Sequence, residues 1–410
     1  MNNLQALIDA ADDEEFHDEL RTFLDEHVAP RWGTPPRLPV TPAERREALR
    51  DLQGTLADGR WVGIHWPEAY GGRNATVAQQ IIYNAELAAR KIPAMLGHRG
   101  LTIVGPTLIR HGTNGQQERF LERIRYGQDL WAGGFSEPDA GSDLASLRTR
   151  GVIDGETIVV TGQKIWTSGA HFCNWIYTLV RTDPEAPKHK GISVVAIPLD
   201  SPGIEIRPIR QITGSSEFNE VFFEDVVVPT GNIIGRVNDG WNVNRTTLSH
   251  EHSTLFIGAQ VRYSNSLADI VDLASRVRGV DGRPRGTEPG VQAAIGRAWA
   301  ASQLMLVNGM RNVGKVVTGG NPGPEGSIMK IYGQESEKAL FELALDIAGP
   351  RGLLDRHAEG AVDRGKWLYG YLGARAATIG GGTSEIHRNK IAENVLGLPR
   401  DLWTLSDASD

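Results

Sequence analysis

Three textures follow one another along the chain. Through residues 1–130 apolar positions recur at helical spacing: Phe16, Leu20, Phe23, Leu24 and Val28, and again across Leu101–Leu121. Pro35-Pro36, then Pro67 with Gly71-Gly72, break this pattern into separate helices. Near Trp131 the texture changes. Short β-branched runs follow at Thr157–Thr161, Ile192–Ile197, Ile204–Ile209 and Val221–Val228, separated by Gly155, Pro202-Gly203 and Pro229. Strands of that length and spacing predict a small antiparallel barrel or sandwich. From residue 237 the helical period returns, with amphipathic stretches around 241–277, 291–318 and 327–349. Gly279–Gly290 reads as a mobile surface loop between the first two. The expected organisation is helical over 1–130, β over 131–236 and helical over 237–410, an α+β chain whose layered order offers clefts for a ligand.

Composition narrows the function classes. A net charge of -7, with no visible basic run, gives no support to nucleic-acid binding. No apolar stretch approaches the ~20 residues that span a bilayer, and the acidic N-terminal segment lacks a secretory pattern, so a cytoplasmic protein is expected. Cys173 is the only cysteine, which excludes an intrachain disulfide; with no matched base in view it reads as buried filler. No metal site is expected. Neither Gly-x-Gly-x-x-Gly nor Gly-Lys-Ser/Thr is present.

The densest chemistry lies in Gly134-Phe135-Ser136-Glu137-Pro138-Asp139-Ala140-Gly141-Ser142-Asp143 and in Gly162-Gln163-Lys164-Ile165-Trp166-Thr167-Ser168. An aromatic wall, short hydroxyl donors and glycines that admit close backbone approach suit a wide, flat ligand with a polar edge. Glu137 and Asp143 read as structural acids that tie down backbone N–H groups. This pair of segments resembles the first signature of the acyl-CoA dehydrogenases. Trp66-Pro67 with Tyr70-Gly71-Gly72 is similar to that family's N-terminal turn, and Thr383-Ser384-Glu385-Ile386-His387-Arg388 to its C-terminal signature. The ending Leu396-Gly397-Leu398-Pro399-Arg400 is similar to that of many actinobacterial members. The resemblance covers nearly the whole chain.

What the resemblance implies is specific. The fold would be an N-terminal helical domain, a middle antiparallel β-barrel domain and a C-terminal four-helix bundle. The cofactor would be FAD, with Phe135 and Ser136 along the ring edge and Ser142 facing the phosphate-bearing chain of the FAD or the CoA. Trp166 would stack on the ring, and the backbone at Thr167-Ser168 would address its N5/O4 edge. Thr383 and Glu385 would belong to the cofactor site, and the Gly349-Pro350-Arg351-Gly352 turn would approach a neighbouring subunit's pyrophosphate. The reaction would be α,β-desaturation of an acyl-CoA thioester.

Many members carry the catalytic glutamate where this chain has Gly381. Others place it on the helix after the β domain, and there the chain reads Leu248-Ser249-His250-Glu251-His252. Leu248, Glu251 and Leu255 stand at i, i+3 and i+7, which puts Glu251 on the apolar stripe of a helix. A carboxylate there is raised in pKa by burial and suited to take an α-proton. His252 replaces the family's arginine. The resemblance gives Gly381 the backbone N–H that binds the thioester oxygen, and its missing side chain suggests a bulky or branched acyl group. The family's Arg-x-x-Phe-Gly has no match at Ser275-Arg276-Val277-Arg278-Gly279. The expected assembly is a tetramer, a dimer of dimers of one or two chain types, passing electrons to an electron-transfer flavoprotein. The alternatives are an acyl-CoA oxidase and a non-catalytic or partly catalytic subunit of an α2β2 enzyme.

Overall fold

A computed structural model describes residues 13–39, 41–244, 255–317 and 326–399. The chain divides into two compact units, Asp13–Glu251 and Met1–Asp12 with His252–Asp410. The expected N-terminal helices and β region therefore share one unit.

That unit begins with α1 (Glu14–Phe23), continued by Leu24–Val28 and Ala29–Trp32, then α2 (Pro42–Asp58) and α3 (Val77–Ala89). Next come Gly100–Val104 running into α4 (Gly105–His111), and α5 (Asn114–Arg125). Reciprocal capping boxes start α3 and α5, Thr76 with Gln79 and Thr113 with Gln116. The Trp66–Gly72 motif is a packing device. Trp66 is buried and donates to the Leu101 carbonyl at 3.2 Å. A Cβ at Gly105 would lie 2.0 Å from its ring, and one at Gly71 2.0 Å from the Arg125 guanidinium.

The strands are β1 (Trp131–Gly134), β2 (Arg150–Asp154), β3 (Thr157–Lys164), β4 (Trp175–Arg181), β5 (Ile192–Pro198), β6 (Ile204–Ile209), β7 (Phe218–Pro229) and β8 (Ile233–Ile234). They form one sheet in the order β6-β7-β3-β2-β4-β5-β8, with β1 beside β4. Pairing is antiparallel except at β1–β4 and the single β2–β4 bridge. β7 shows how register sets the interior. Asn219, Val221 and Phe223 are buried, then Val226 and Val228. The parity changes at a bulge opposite Val160–Gly162, where Asp225 takes φ 47°. β4 and β5 are buried along nearly their whole length. Helix α5 covers this end: Phe120 packs edge-on against Trp131 and Trp175, and Gln116 donates to the carbonyls of Gly231 and Ile233.

The second unit contains α6 (Leu255–Arg276), α7 (Pro289–Val317), α8 (Gly326–Ala348), α9 (Lys366–Ala377) and α10 (Ser384–Asn394). Ile270, Leu273, Met305, Leu340, Ala344, Ile347 and Trp367 share its core. The segment expected as a mobile loop is instead tied down. Gly279 N–H bonds Arg283, Arg285 N–H bonds Val277, and the Arg285 guanidinium binds Glu288 and the carbonyl end of α8. An arginine that can span to a helix C-terminus overrides the glycine- and proline-rich composition. No helix among the described residues is long and apolar enough to cross a membrane.

Candidate active site

In the first unit the candidate residues lie on two segments held together by one buried ion pair. Strand β1 ends at Gly134, whose carbonyl accepts from Thr178 Oγ1 at 2.9 Å; a Cβ there would lie 2.5 Å from that oxygen. Phe135 sets its ring edge-on to Tyr177. The Ser136 carbonyl accepts from Ile165 N–H at 2.9 Å, which fastens this loop to the end of β3.

Glu137 turns inward. Its carboxylate accepts from Arg148 N–H at 2.6 Å, Thr149 N–H at 2.8 Å and Lys164 Nζ at 2.8 Å. Lys164 is fully buried and also donates to the Phe135 carbonyl at 3.2 Å. Burial opposes ionisation of Glu137, yet Lys164 and the N–H donors hold its carboxyl below the usual carboxylate range. For Lys164 burial prevails over the attraction of Glu137, and its pKa falls to about 8. Glu137 is thus the backbone tie expected of it. Asp143 is exposed and pairs with Lys188.

Beyond β3 the backbone bends sharply. Trp166 takes φ 60° and is 56% exposed, so it caps no core. Phe218 meets its ring edge-on at 6.1 Å. Buried Asn219 holds the next residues: Thr167 N–H bonds the Asn219 carbonyl, and Asn219 Nδ2 donates to the Thr167 carbonyl at 2.9 Å. Thr167 Oγ1 is buried and has no hydrogen-bond partner among the described residues. Ser168 and Ser136 are half-buried, and Ser142 is exposed.

In the second unit Gly349 opens the short helix Gly349–Leu353, and Gly352 is buried against Ala348. Gly381 is exposed at φ 68° and precedes α10. Thr383 caps that helix, accepting from Ile386 N–H at 3.3 Å, and Glu385 is exposed in its first turn beside Arg388. Glu251 and His252 lie outside the described residues. Burial pushes the Cys173 thiol up to about 12, so it offers no thiolate near neutral pH.

Sequence reasoning gave no role to Lys164, Asn219, Lys330 or His387. Two of them left a signal. Lys164 shares the inward parity of Ile158 and Val160, and Asn219 that of Val221 and Phe223. A polar residue on an inward parity must have partners.

Comparison with known proteins agrees along the chain. The models for the N-terminal, middle and C-terminal domains of acyl-CoA dehydrogenases match residues 10–128, 132–226 and 238–396. The chain is similar to acyl-CoA dehydrogenase IpdE1 of Mycobacterium tuberculosis, 39% identical over 393 residues covering 95% of this chain and 99% of that one. It is also similar to the solved ChsE4-ChsE5 complex from Mycobacterium tuberculosis, with TM-score 0.79 and 28% identity over 98% of this chain and 99% of that one. The solved Tcur3481-Tcur3483 steroid ACAD gives TM-score 0.79 and 29% identity over 97% of this chain and 98% of that one. With three domain models in order and a relative at this identity over nearly full length, the chain belongs to the acyl-CoA dehydrogenase family, whose members are flavin-dependent oxidoreductases acting on CH–CH bonds.

Proposed function

We propose that this chain binds FAD and desaturates a bulky or α-branched acyl-CoA thioester. The observation that carries the cofactor is the tryptophan face of Trp166, turned to solvent at a positive φ with half-buried Ser168 two residues on. Phe135, Ser136, Trp166, Thr167 and Ser168 would hold the flavin ring, and Ser142, Thr383 and Glu385 its polar periphery. Gly349 and Gly352 would face a neighbouring subunit's pyrophosphate. Bound FAD would supply the acceptor for the β-hydride. Glu251 is assigned the α-proton, and Gly381 N–H the thioester oxygen, where charge develops as that proton leaves. A glycine without side chain at an exposed position supports room near the α-carbon, and the steroid ACAD relative points the same way.

The assembly is proposed to be oligomeric. Helix α7 turns Trp299, Leu304, Val307 and Met310 outward, an apolar stripe that a further subunit would cover. A relative solved as a ChsE4-ChsE5 complex supports a second chain type. We place the enzyme in the cytoplasm, with an electron-transfer flavoprotein as acceptor.

The test is the chain purified alone under anaerobic conditions. Its flavin absorbance is followed with butanoyl-, octanoyl-, 2-methylbutanoyl- and steroid-side-chain propanoyl-CoA. A yellow protein bleached fastest by a branched or ring-bearing thioester is expected. A colourless, inert chain that gains both properties with a partner favours the heteromeric subunit. Rapid hydrogen peroxide release on aeration favours the oxidase.

A further inference from the structure

The Gly380-Gly381-Gly382 turn is built in an unusual way. Lys330, on α8, donates from Nζ to the carbonyl of Gly380 and to that of Gly382, the latter at 2.5 Å. His387, buried on α10, places Nε2 3.2 Å from the carbonyl of Gly381 and Nδ1 2.9 Å from Ser327 Oγ on α8. Since a carbonyl only accepts, Nε2 carries the proton toward Gly381, and in the neutral ring Ser327 donates to Nδ1. Three successive carbonyls are therefore held by two side chains.

The consequence follows from peptide planarity. Across a trans peptide the C=O of one residue and the N–H of the next point in opposite directions. Fixing the Gly380 carbonyl on Lys330 turns the Gly381 N–H away from that amine. The Gly381 and Gly382 carbonyls fix the next two N–H groups in the same manner. Among the described residues, none of the N–H groups of Gly381, Gly382 and Thr383 has a partner within the chain. The φ values of 68° and 94° at Gly381 and Gly382 lie in the left-handed region that glycine adopts without strain. A Cβ at Gly382 would stand 2.9 Å from His387 Nε2. The Lys330 ammonium, 3.4 Å from where a Gly381 Cβ would be, also adds positive potential to this turn.

We propose that Lys330 and His387 are positioning residues for the acyl thioester: they fix the glycine carbonyls so that the Gly381 N–H is presented outward, ready for an oxygen whose charge grows during proton removal. The inference rests on the thioester assignment made above for Gly381. Neither side chain is asked to touch substrate. Their effect is orientational, and it acts more strongly on the charged, enolate-like state than on bound substrate.

The test uses the holoenzyme and whichever panel thioester bleaches its flavin fastest. Lys330→Met, Lys330→Gln and Lys330→Arg are compared with wild type for thioester affinity and for the bleaching rate at saturation. The carbonyl stretch of the matching enoyl-CoA product, ¹³C-labelled at C1, is recorded bound to each. Lys330→Met should lower the saturated rate about 100-fold, with a much smaller change in affinity. It should also return the carbonyl band toward its frequency in water, and Lys330→Arg should recover part of both. If Lys330→Met does not fold, Lys330→Gln, which removes the charge and keeps a donor, reads the same band and should shift it in the same direction. Unchanged rates, or a rate loss with the band held at the wild-type frequency, overturn the positioning role and leave the dehydrogenase reading standing. A flavin-loaded wild type that no thioester bleaches overturns both.

Discussion

Two glycine-containing turns of this protein are each braced by a lysine, one fully buried and the other only half-buried. In the β-containing unit, Lys164 is fully buried, and its ammonium is matched by Glu137, which in turn collects two backbone N–H groups. In the helical unit Lys330 is half-buried and holds the backbone carbonyls of Gly380 and Gly382. A charge removed from water needs a counter-charge and saturated hydrogen bonding. A charge nearer the surface is shared with solvent and needs less compensation from within the fold. The buried brace is accordingly a point of stability for its unit, whereas the surface brace governs mainly the direction of an N–H.

The largest effect is expected at Lys164. Lys164→Met leaves the Glu137 carboxylate buried without its cation, and a loss of about 3–5 kcal/mol is expected, with most of the bound FAD lost. Thermal unfolding and flavin absorbance per chain measure it. Adding Glu137→Gln should return part of the stability, because both charges are then gone. A single variant as stable as wild type would mean that the pair is not what holds the loop.

The acid side sharpens the same point. The carboxyl of Glu137 is held below its usual 4.5, so the unfolded chain binds more protons than the folded one in that window. The contribution of Glu137 is complete above about 4.5 and is lost as pH falls through the lower folded value. Melting temperature followed from pH 6 to pH 3 should fall less steeply in Glu137→Gln than in wild type. Parallel curves would deny the carboxylate its role.

At the surface brace the effects on stability are smaller. Lys330→Met is expected to cost about 1 kcal/mol in chemical denaturation, the scale of a partly solvated hydrogen bond. Gly381→Ala asks an alanine to take φ 68°, which costs roughly 1–2 kcal/mol at most and meets no crowding closer than the 3.4 Å to Lys330 Nζ. If either exceeded the loss at Lys164, the contrast between the braces would be inverted.

Much of this architecture was legible in the chain. The helix–strand–helix order followed from apolar periodicity, and Trp166 with its neighbouring hydroxyls stood out as chemistry. What stayed hidden has physical causes. The bulge in β7 depends on Asp225 adopting a positive φ, which no residue pattern announces. The β1, β2 and β8 strands are too short or too polar to show a period, and β1 is recognisable only by its parallel pairing with β4. Lys164 was visible in principle, since a lysine on an inward parity requires a partner. Lys330 was not: it reaches a turn 50 residues away along the chain, and neither residue's neighbours suggest the other. The glycines read as freedom for a pocket, while the structure adds that their carbonyls are held by side chains.

We propose that Glu251 is the base of this flavoenzyme and takes the place of the side chain that Gly381 lacks. The most direct measurement is an anaerobic titration of wild type and Glu251→Gln, both loaded with FAD, with the thioester that works best on wild type. Equal flavin content in the two proteins is expected, with bleaching in wild type and a flavin absorbance in Glu251→Gln that stays at its oxidised value. Bleaching of Glu251→Gln at the wild-type rate would contradict it.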